Sequence, residues 1–433
     1  MTTQAAPALK RELGVLGATM MGMGSILGTG VFVSIGIASG VAGPAVILAI
    51  GLAAFVALSN GLSSAQLAAN HPVSGGTYEY GYKYVNGWAG FTAGWTFLLA
   101  KSASAATAAL GFAGYLLNLL GVAGRDWLIP LGLAAVVALT LIVLAGLRRS
   151  NTANIIIVSI TLFALGLFVV AGLPKAAASA PENLTPFFNE AGSPLASVLQ
   201  ATALMFVAYT GYGRIATMGE EVREPRRVIP RAIIITLLLT MGLYMSVALV
   251  GVAAVGADVL AGTTASQAAP LEIASREFGV PLVHQVVAAG AITAMLGVLL
   301  NLILGLSRVV LAMGRRRDMP AVTARIHAGS ATPVVAVLVV SAGIGALVLV
   351  GNVKTTWSFS AFTVLIYYAI TNLSALRLSP VERLYPRWIA WVGLAACLFL
   401  AFWVEAQIWL VGLGMIGIGW AWHAVAQRVN RGR

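Results

Sequence analysis

Twelve apolar runs of about 20 residues each follow one another along the chain. A run of that length and apolarity crosses a bilayer as a helix, and lipid admits only elements that satisfy their own backbone hydrogen bonds. The runs, with soft edges, cover 13–38, 43–70, 88–120, 126–147, 152–173, 195–219, 229–257, 281–313, 332–351, 355–377, 386–404 and 407–427. Hydrophobic residues make up 59% of the 433 and charged residues 9%. A soluble protein carries about 25% charged residues, so this chain cannot cover a soluble surface. The expectation is an all-α integral membrane protein with 12 transmembrane helices. The first residues lack the charged leader, short apolar core and cleavage site of a signal peptide. One cysteine, Cys397, excludes an internal disulfide and a cysteine metal site, and no cofactor is expected.

An even number of spans puts both termini on one side, and the basic residues choose the side. With both termini cytoplasmic, the inner segments hold 19 of the 26 lysines and arginines and the outer segments hold Arg125, Lys175, Arg276 and Lys354. Lys101, Arg214 and Arg308 fall inside spans. The net charge of +12 therefore records orientation rather than a nucleic-acid partner. The cluster Arg315, Arg316 and Arg317 reads as a solvated inner face that also meets anionic lipid. The longest polar connections are 174–194 and 258–280 outside, and 314–331 inside.

Two spans are interrupted. MGMGSILGTGVF (21–32) places Gly22, Gly24, Gly28 and Gly30 at the centre of the first, and AYTGYG (208–213) interrupts the sixth. Gly28-Thr29-Gly30 and Gly211-Tyr212-Gly213 share a Gly-x-Gly core. Each interruption opens a block of five helices, and an odd number of spans makes the second block enter the bilayer upside down. The blocks are residues 1–173 and 195–377. Unwound backbone at membrane depth survives only where it lines a cavity or meets a ligand, and a matched pair of interruptions points to a binding site near the midplane. Half-helix N-termini favour an anion and carbonyl ends a cation, which suits a zwitterion. Glycine also permits positive φ. The competing reading of each glycine cluster is tight helix packing through small residues.

These residues resemble those of the amino acid–polyamine–organocation (APC) superfamily of permeases. GSILGTGVF is similar to the first-helix signature of that family. HPVSGGTYEYGYKYVNGWAGFTAGW (71–95) resembles its loop after helix two, FVAYTGYGRIATMGEEVREPRRVIPRAI (206–233) its sixth helix and following loop, and GLSRVVLAMGRRRDMP (305–320) the end of its eighth helix. The resemblance implies the LeuT-type fold, a 5+5 inverted repeat followed by two extra helices (386–427), and a secondary transporter working by alternating access. It implies that the substrate carboxylate meets the N–H groups of Gly28, Thr29 and Gly30. The substrate ammonium would meet carbonyls of Ile26, Phe206, Val207 and Tyr209. Val207 stands where many relatives carry a gating aromatic, which leaves Phe206 and Tyr209 as candidates for that role or a pocket for a bulkier substrate. The helix-five lysine of some relatives is absent, with Ile160 or Thr161 at the aligned point. The hydroxyls of a sodium site are also absent, with Leu296 and Gly297 near it.

Lys101 lies about 11 residues into its span, roughly 16 Å along a helix. An ionisable group at that depth is a functional candidate by default. It could carry a proton through the cycle in place of the missing lysine, or pair with a second carboxylate on the substrate. The plainer reading is an amine that reaches carbonyls or a watery vestibule. Arg214 follows the second interruption and reads as an inner-pathway residue, as a cap for carbonyls of helix one, or as part of a cytoplasmic gate network with Glu220, Glu221 and Arg308.

Other classes fit less well. No HExxH, G-x-S-x-G or G-x-x-x-x-G-K-[ST] occurs in the chain, and His71, His284, His327 and His423 do not lie deep in spans, so an enzyme or an ATP-driven pump is disfavoured. A channel would want a symmetric filter or a charged ring. A nutrient receptor on the same fold stays open. The substrate expected is an amino acid, first a neutral one. Acidic amino acids come next, and polyamines or other organocations after them, since Lys101 and Arg214 would repel a polycation. The site of action is the cell membrane, with the lipid bilayer and protons as further partners.

Overall fold

The structure, a computed structural model, describes residues 13–72, 75–122, 124–146, 151–188, 193–216, 222–327 and 332–431. Glu220 and Glu221 of the expected gate network lie outside them, as do the basic residues Lys10, Arg11, Arg148, Arg149 and Arg433.

Helices occupy all twelve apolar runs. The first run is broken into α1 (Val15–Ile26), α2 (Thr29–Phe32) and α3 (Ser34–Ala42), and α4 (Val46–Asn70) follows. A short α5 (Thr77–Tyr80) and a π-helical turn at Gly81–Val85 lead into α6 (Gly87–Leu119). Next come α7 (Leu128–Leu144) and α8 (Asn151–Asn183). The sixth run is α9 (Pro194–Tyr209), a 3-10 turn at Thr210–Tyr212 and α10 (Gly213–Ala216). Beyond it lie α11 (Pro225–Val255), α12 (Ala257–Gln267), α13 (Pro270–Arg276) and α14 (Val283–Arg315). The chain continues through α15 (Val334–Val348), α16 (Val353–Leu376), α17 (Arg387–Ala401) and α18 (Ala406–Arg431). Among the described residues there is no β-strand, only isolated bridges pairing Leu13 with Val222 and His327 with Thr332.

Among the described residues, eight helical stretches are long and apolar enough to cross a membrane by themselves, and α1, α7, α15 and α17 are shorter apolar helices. Phe163 and Val170 on α8 are each 66% exposed, and Leu238, Leu239, Leu410 and Ile418 are also exposed on long helices. An apolar surface of this extent fits lipid, not water. The fold is an all-helical, multi-pass membrane bundle.

Local chemistry sets many of the boundaries. Asn86 caps α6 by accepting from the Ala89 N–H at 2.8 Å, and Asn352 caps α16 through the Thr355 N–H at 3.1 Å; each satisfies one amide that the helix start leaves unpaired. Gly256 ends α11 at φ 85° and donates to the Val252 carbonyl at 2.8 Å, a backbone geometry that glycine adopts without strain. The polar connections expected at 174–194 and 258–280 are partly helical. The alanine-rich stretch after Pro174 keeps α8 helical to Asn183, consistent with alanine's propensity. The Asn183 amide then fastens to the Ala253 carbonyl at 2.9 Å. The second connection folds into α12 and α13.

The core sits among α1, α4, α6, α8, α9, α11, α14 and α16. α6 packs on α16 and α14, α8 on α11 and α14, and α4 on α9 and α11. α1 packs on α11, α16 on α4, α6 on α7, and α14 on α15. Hydroxyl pairs stitch the α6–α16 seam, Ser104 with Ser360 and Thr107 with Thr356, each at 2.7 Å. Asn60 of α4 and Asn372 of α16 are hydrogen bonded to each other. Such interhelical bonds are effective in lipid because the alternative is an unpaired polar group.

Candidate functional site

The first interruption falls at Leu27 and Gly28. Leu27 is extended (φ −73°, ψ 114°), and its N–H still bonds the Met23 carbonyl at 2.8 Å. Gly28 is also extended (φ 167°), and its carbonyl accepts from the N–H groups of Val31 and Phe32, each at 3.1 Å. The amides of Thr29 and Gly30 therefore head a new half-helix with no carbonyl ahead of them in that helix. The expectation of positive φ is not met at Gly28 or Gly30. Space requires these glycines instead. A Cβ on Gly28 would lie 2.7 Å from Val298 Cγ2, and one on Gly30 would lie 2.8 Å from the Ala208 Cβ.

The second interruption is milder. α9 ends at Tyr209, and Thr210–Tyr212 tighten into a 3-10 turn before α10. Gly211 lies against the end of α1, where a Cβ would overlap the Ser25 carbonyl. The two breaks are thus in direct contact, and glycine at 211 is what permits the approach.

Between them is a cavity with a free volume of about 40 Å³, room for only a few waters. Ile26, Thr29 and Gly30 line it from the first break, and Val207, Ala208, Thr210 and Gly211 from the second. Lys101 of α6 is 9% exposed and reaches into it. Its Nζ donates to Thr210 Oγ1 at 2.6 Å, and Thr210 Oγ1 donates to the Val207 carbonyl at 2.7 Å. The Thr210 N–H bonds the same carbonyl. Tyr244 Oη donates to the Ile26 carbonyl at 2.9 Å. The Thr29 hydroxyl is buried with no hydrogen-bond partner.

Of the residues singled out from sequence, Ile26, Thr29, Gly30, Val207 and Lys101 line this cavity. Gly28 abuts it through Val298, which is also in its wall. Phe206 points away and meets the Tyr368 ring edge-on at 5.6 Å. Tyr209 also points away, its hydroxyl donating to the Ile50 carbonyl at 3.3 Å. Arg214 sits half-buried on α10, beyond the cavity, and Arg308 is exposed. The aromatic in the wall is Trp357 of α16, fixed by its Nε1–H to the Leu204 carbonyl at 2.9 Å. Sequence reasoning did not find Trp357, Ser104, Thr210, Val298 or Leu302. It also missed Asn154 of α8, whose amide donates to the Met20 carbonyl at 3.0 Å and fills the space beside Gly24. At the positions expected to matter on that helix, Ile160 is 40% exposed and Thr161 bonds its own helix at the Ile157 carbonyl.

Polar clusters flank the bundle at its two ends. At one, Asp318 accepts from the hydroxyls of Tyr78 (2.7 Å) and Tyr82 (2.6 Å), and His423 Nδ1 lies 3.2 Å from its other oxygen. His423 is fully enclosed, so its place near a helix end did not foretell exposure. Arg316 pairs with Glu79 nearby. At the other end, Glu272 of α13 is fully buried and pairs with Arg276 at 2.7 Å, while its Oε2 has no partner. Burial raises the Glu272 pKa, and the hydrogen bond and charge of Arg276 only partly offset this.

A multi-pass helical bundle whose two interrupted helices meet at a buried cavity is the architecture of a membrane transporter. Residues 17–428 match the amino acid permease family model, and the chain belongs to that family, part of the APC superfamily. It is 40% identical over 423 residues to an uncharacterized transporter of Mycobacterium tuberculosis (strain H37Rv), covering 98% of this chain and 93% of that protein. It is 28% identical over 353 residues to the branched-chain amino acid permease BcaP of Bacillus subtilis, covering 77% and 73%. Human cationic amino acid transporter 4 is 31% identical over 389 residues, covering 85% of this chain and 60% of that protein. Members of the family are transporters rather than enzymes.

Proposed function

We propose that the protein is a secondary transporter that carries amino acids across the cell membrane by alternating access, with the substrate held between the two helix breaks. The observation that carries this reading is the cavity itself, because residues from both Gly-x-Gly interruptions form its wall. The family membership supports amino acids as the substrate class. Both termini are cytoplasmic in this reading, and twelve helices span the bilayer.

The packing supports the 5+5 inverted repeat. Exchanging α1 with α9, α4 with α11, α6 with α14, α7 with α15 and α8 with α16 maps several of the major contacts onto others. The α6–α16 contact becomes α14–α8, α4–α9 becomes α11–α1, α8–α11 becomes α16–α4, and α6–α7 becomes α14–α15; all of these pairs are packed together. Residues 1–173 and 195–377 are the two repeats, and 386–427 is the added pair.

The substrate carboxylate binds at the Gly28, Thr29 and Gly30 amides. Its ammonium binds at carbonyls of Ile26 and of the Phe206–Tyr209 segment. The Val207 carbonyl already accepts twice from Thr210, which leaves Ile26 as the better acceptor in this conformation. The cavity is smaller than an amino acid, so loading requires its walls to part. Arg214 lies along the inner pathway. Protons are the proposed driving ion, and Lys101 is the group placed to carry one. The test is uptake of radiolabelled amino acids into proteoliposomes under imposed pH or sodium gradients. Accumulation driven by the pH gradient is expected. A requirement for sodium would remove the proton reading, and absence of any amino acid uptake or exchange would remove the transporter reading.

A further inference from the structure

We infer that Lys101 selects a substrate with a second carboxylate, so that the cavity accepts acidic amino acids in preference to neutral or cationic ones. This rests on the proposed substrate site and reverses the order that the sequence suggested. Among the described residues, none that lines the cavity is acidic. The partner of the Lys101 ammonium is a neutral hydroxyl, Thr210. An ammonium has three donors and no acceptor, so two of its N–H bonds are left for other partners. The Thr29 hydroxyl, also in the wall, has no partner among the described residues and can donate or accept, and the amides of Thr29 and Gly30 add two donors. On the acceptor side, the Val207 carbonyl is already doubly engaged, and the Ile26 carbonyl, with one bond from Tyr244, is left for the substrate ammonium.

A cavity with surplus donors and one cation is completed by a ligand with surplus acceptors and net negative charge. One carboxylate at the head of α2 leaves Lys101, in the same cavity wall, for a second. A cationic side chain would place like charges together in a low-dielectric space, which is strongly unfavourable. A neutral side chain would leave the ammonium buried on a hydroxyl alone. Selection and coupling are compatible in one residue, since the protonated amine that binds the carboxylate carries its proton with the anion.

The experiment compares isosteric pairs, glutamate against glutamine and aspartate against asparagine, by competition with a radiolabelled amino acid on purified protein. Charge-assisted hydrogen bonds favour the acid by at least about tenfold. Lys101→Met is expected to erase that preference, and Lys101→Arg to retain part of it. Equal affinity for glutamate and glutamine in the wild type overturns the inference, as does a preference that Lys101→Met leaves unchanged. Neutral amino acids that bind while acidic ones do not would sink the inference and leave the transporter reading standing. Binding of no amino acid at all would sink both. The wild-type comparison decides even if the lysine variants do not fold.

Discussion

The ammonium of Lys101 on α6 rests on the hydroxyl of Thr210, 2.6 Å away, and that hydroxyl donates a hydrogen bond of its own to the Val207 carbonyl at 2.7 Å. One threonine therefore ties a buried charge to the backbone of the second helix break. Thr210→Val is expected to strand the ammonium and cost about 1.5–3 kcal/mol of stability. Thr210→Ser should stay near wild type. In a Lys101→Met background the same Thr210→Val change should cost much less, because no charge is left to satisfy. Thermal unfolding of the five proteins in detergent measures this. An equal cost in both backgrounds would show that the two side chains are not coupled.

Gly30 faces Ala208 across the contact between the breaks, with room for a hydrogen and nothing larger. Gly30→Ala should overpack this contact at a cost of about 1–3 kcal/mol and reduce amino acid binding severely. Gly30→Val should abolish it. Gly242 and Gly343 have open space where a Cβ would go, so alanine there is the control and should leave both folding and binding intact. Wild-type affinity in Gly30→Val would mean that the first break does not shape the site.

Val207 forms part of the wall of a cavity of about 40 Å³, and a larger side chain there takes volume that a substrate needs. Val207→Phe is expected to shift uptake toward small side chains, aspartate over glutamate and alanine over leucine. The comparison is made as ratios of initial rates, which are insensitive to expression level. A substrate profile identical to wild type would place residue 207 outside the bound substrate's reach.

What the sequence disclosed, and what it did not, follows from how each kind of information is stored. Spans and breaks are local: twelve apolar runs and two Gly-x-Gly cores can be read along the chain, and the structure puts helices at every run and places the two breaks against each other. Facing residues are not local. Ser104, Val298 and Trp357 reach the cavity through the rotation and register of α6, α14 and α16, and uniformly apolar helices give hydropathy no face to read. The same ambiguity hid Asn154 on α8, which touches α1, while of the two aligned positions Ile160 looks outward and Thr161 is buried. Burial near a helix end was equally invisible: His423 is enclosed by Trp88 and Phe91 of α6 and by Asp318, all remote in sequence. At 28 and 30 the structure shows close approach of neighbours rather than positive φ as what glycine accommodates.

Glu272 gives a test of the connection between α11 and α14 that does not depend on transport. Its carboxyl is fully buried, one oxygen is paired with Arg276 and the other has no partner. Burial raises its pKa above the usual 4.5, and Arg276 pulls the other way by a smaller amount. A carboxyl with a folded pKa above its unfolded value binds protons more readily in the folded state. Stability from this group is therefore fully present below the unfolded pKa and falls as pH rises through the folded pKa. Glu272→Gln removes the titration and keeps an acceptor for Arg276. The variant should match or trail the wild type at the acid end of the range and gain on it as pH rises from about 4.5 toward neutrality, then run parallel. Unfolding temperatures of both proteins in the same detergent, taken across that range, provide the comparison. A difference that stays constant with pH, or that narrows as pH rises, would show that Arg276 controls the carboxylate more strongly than burial does.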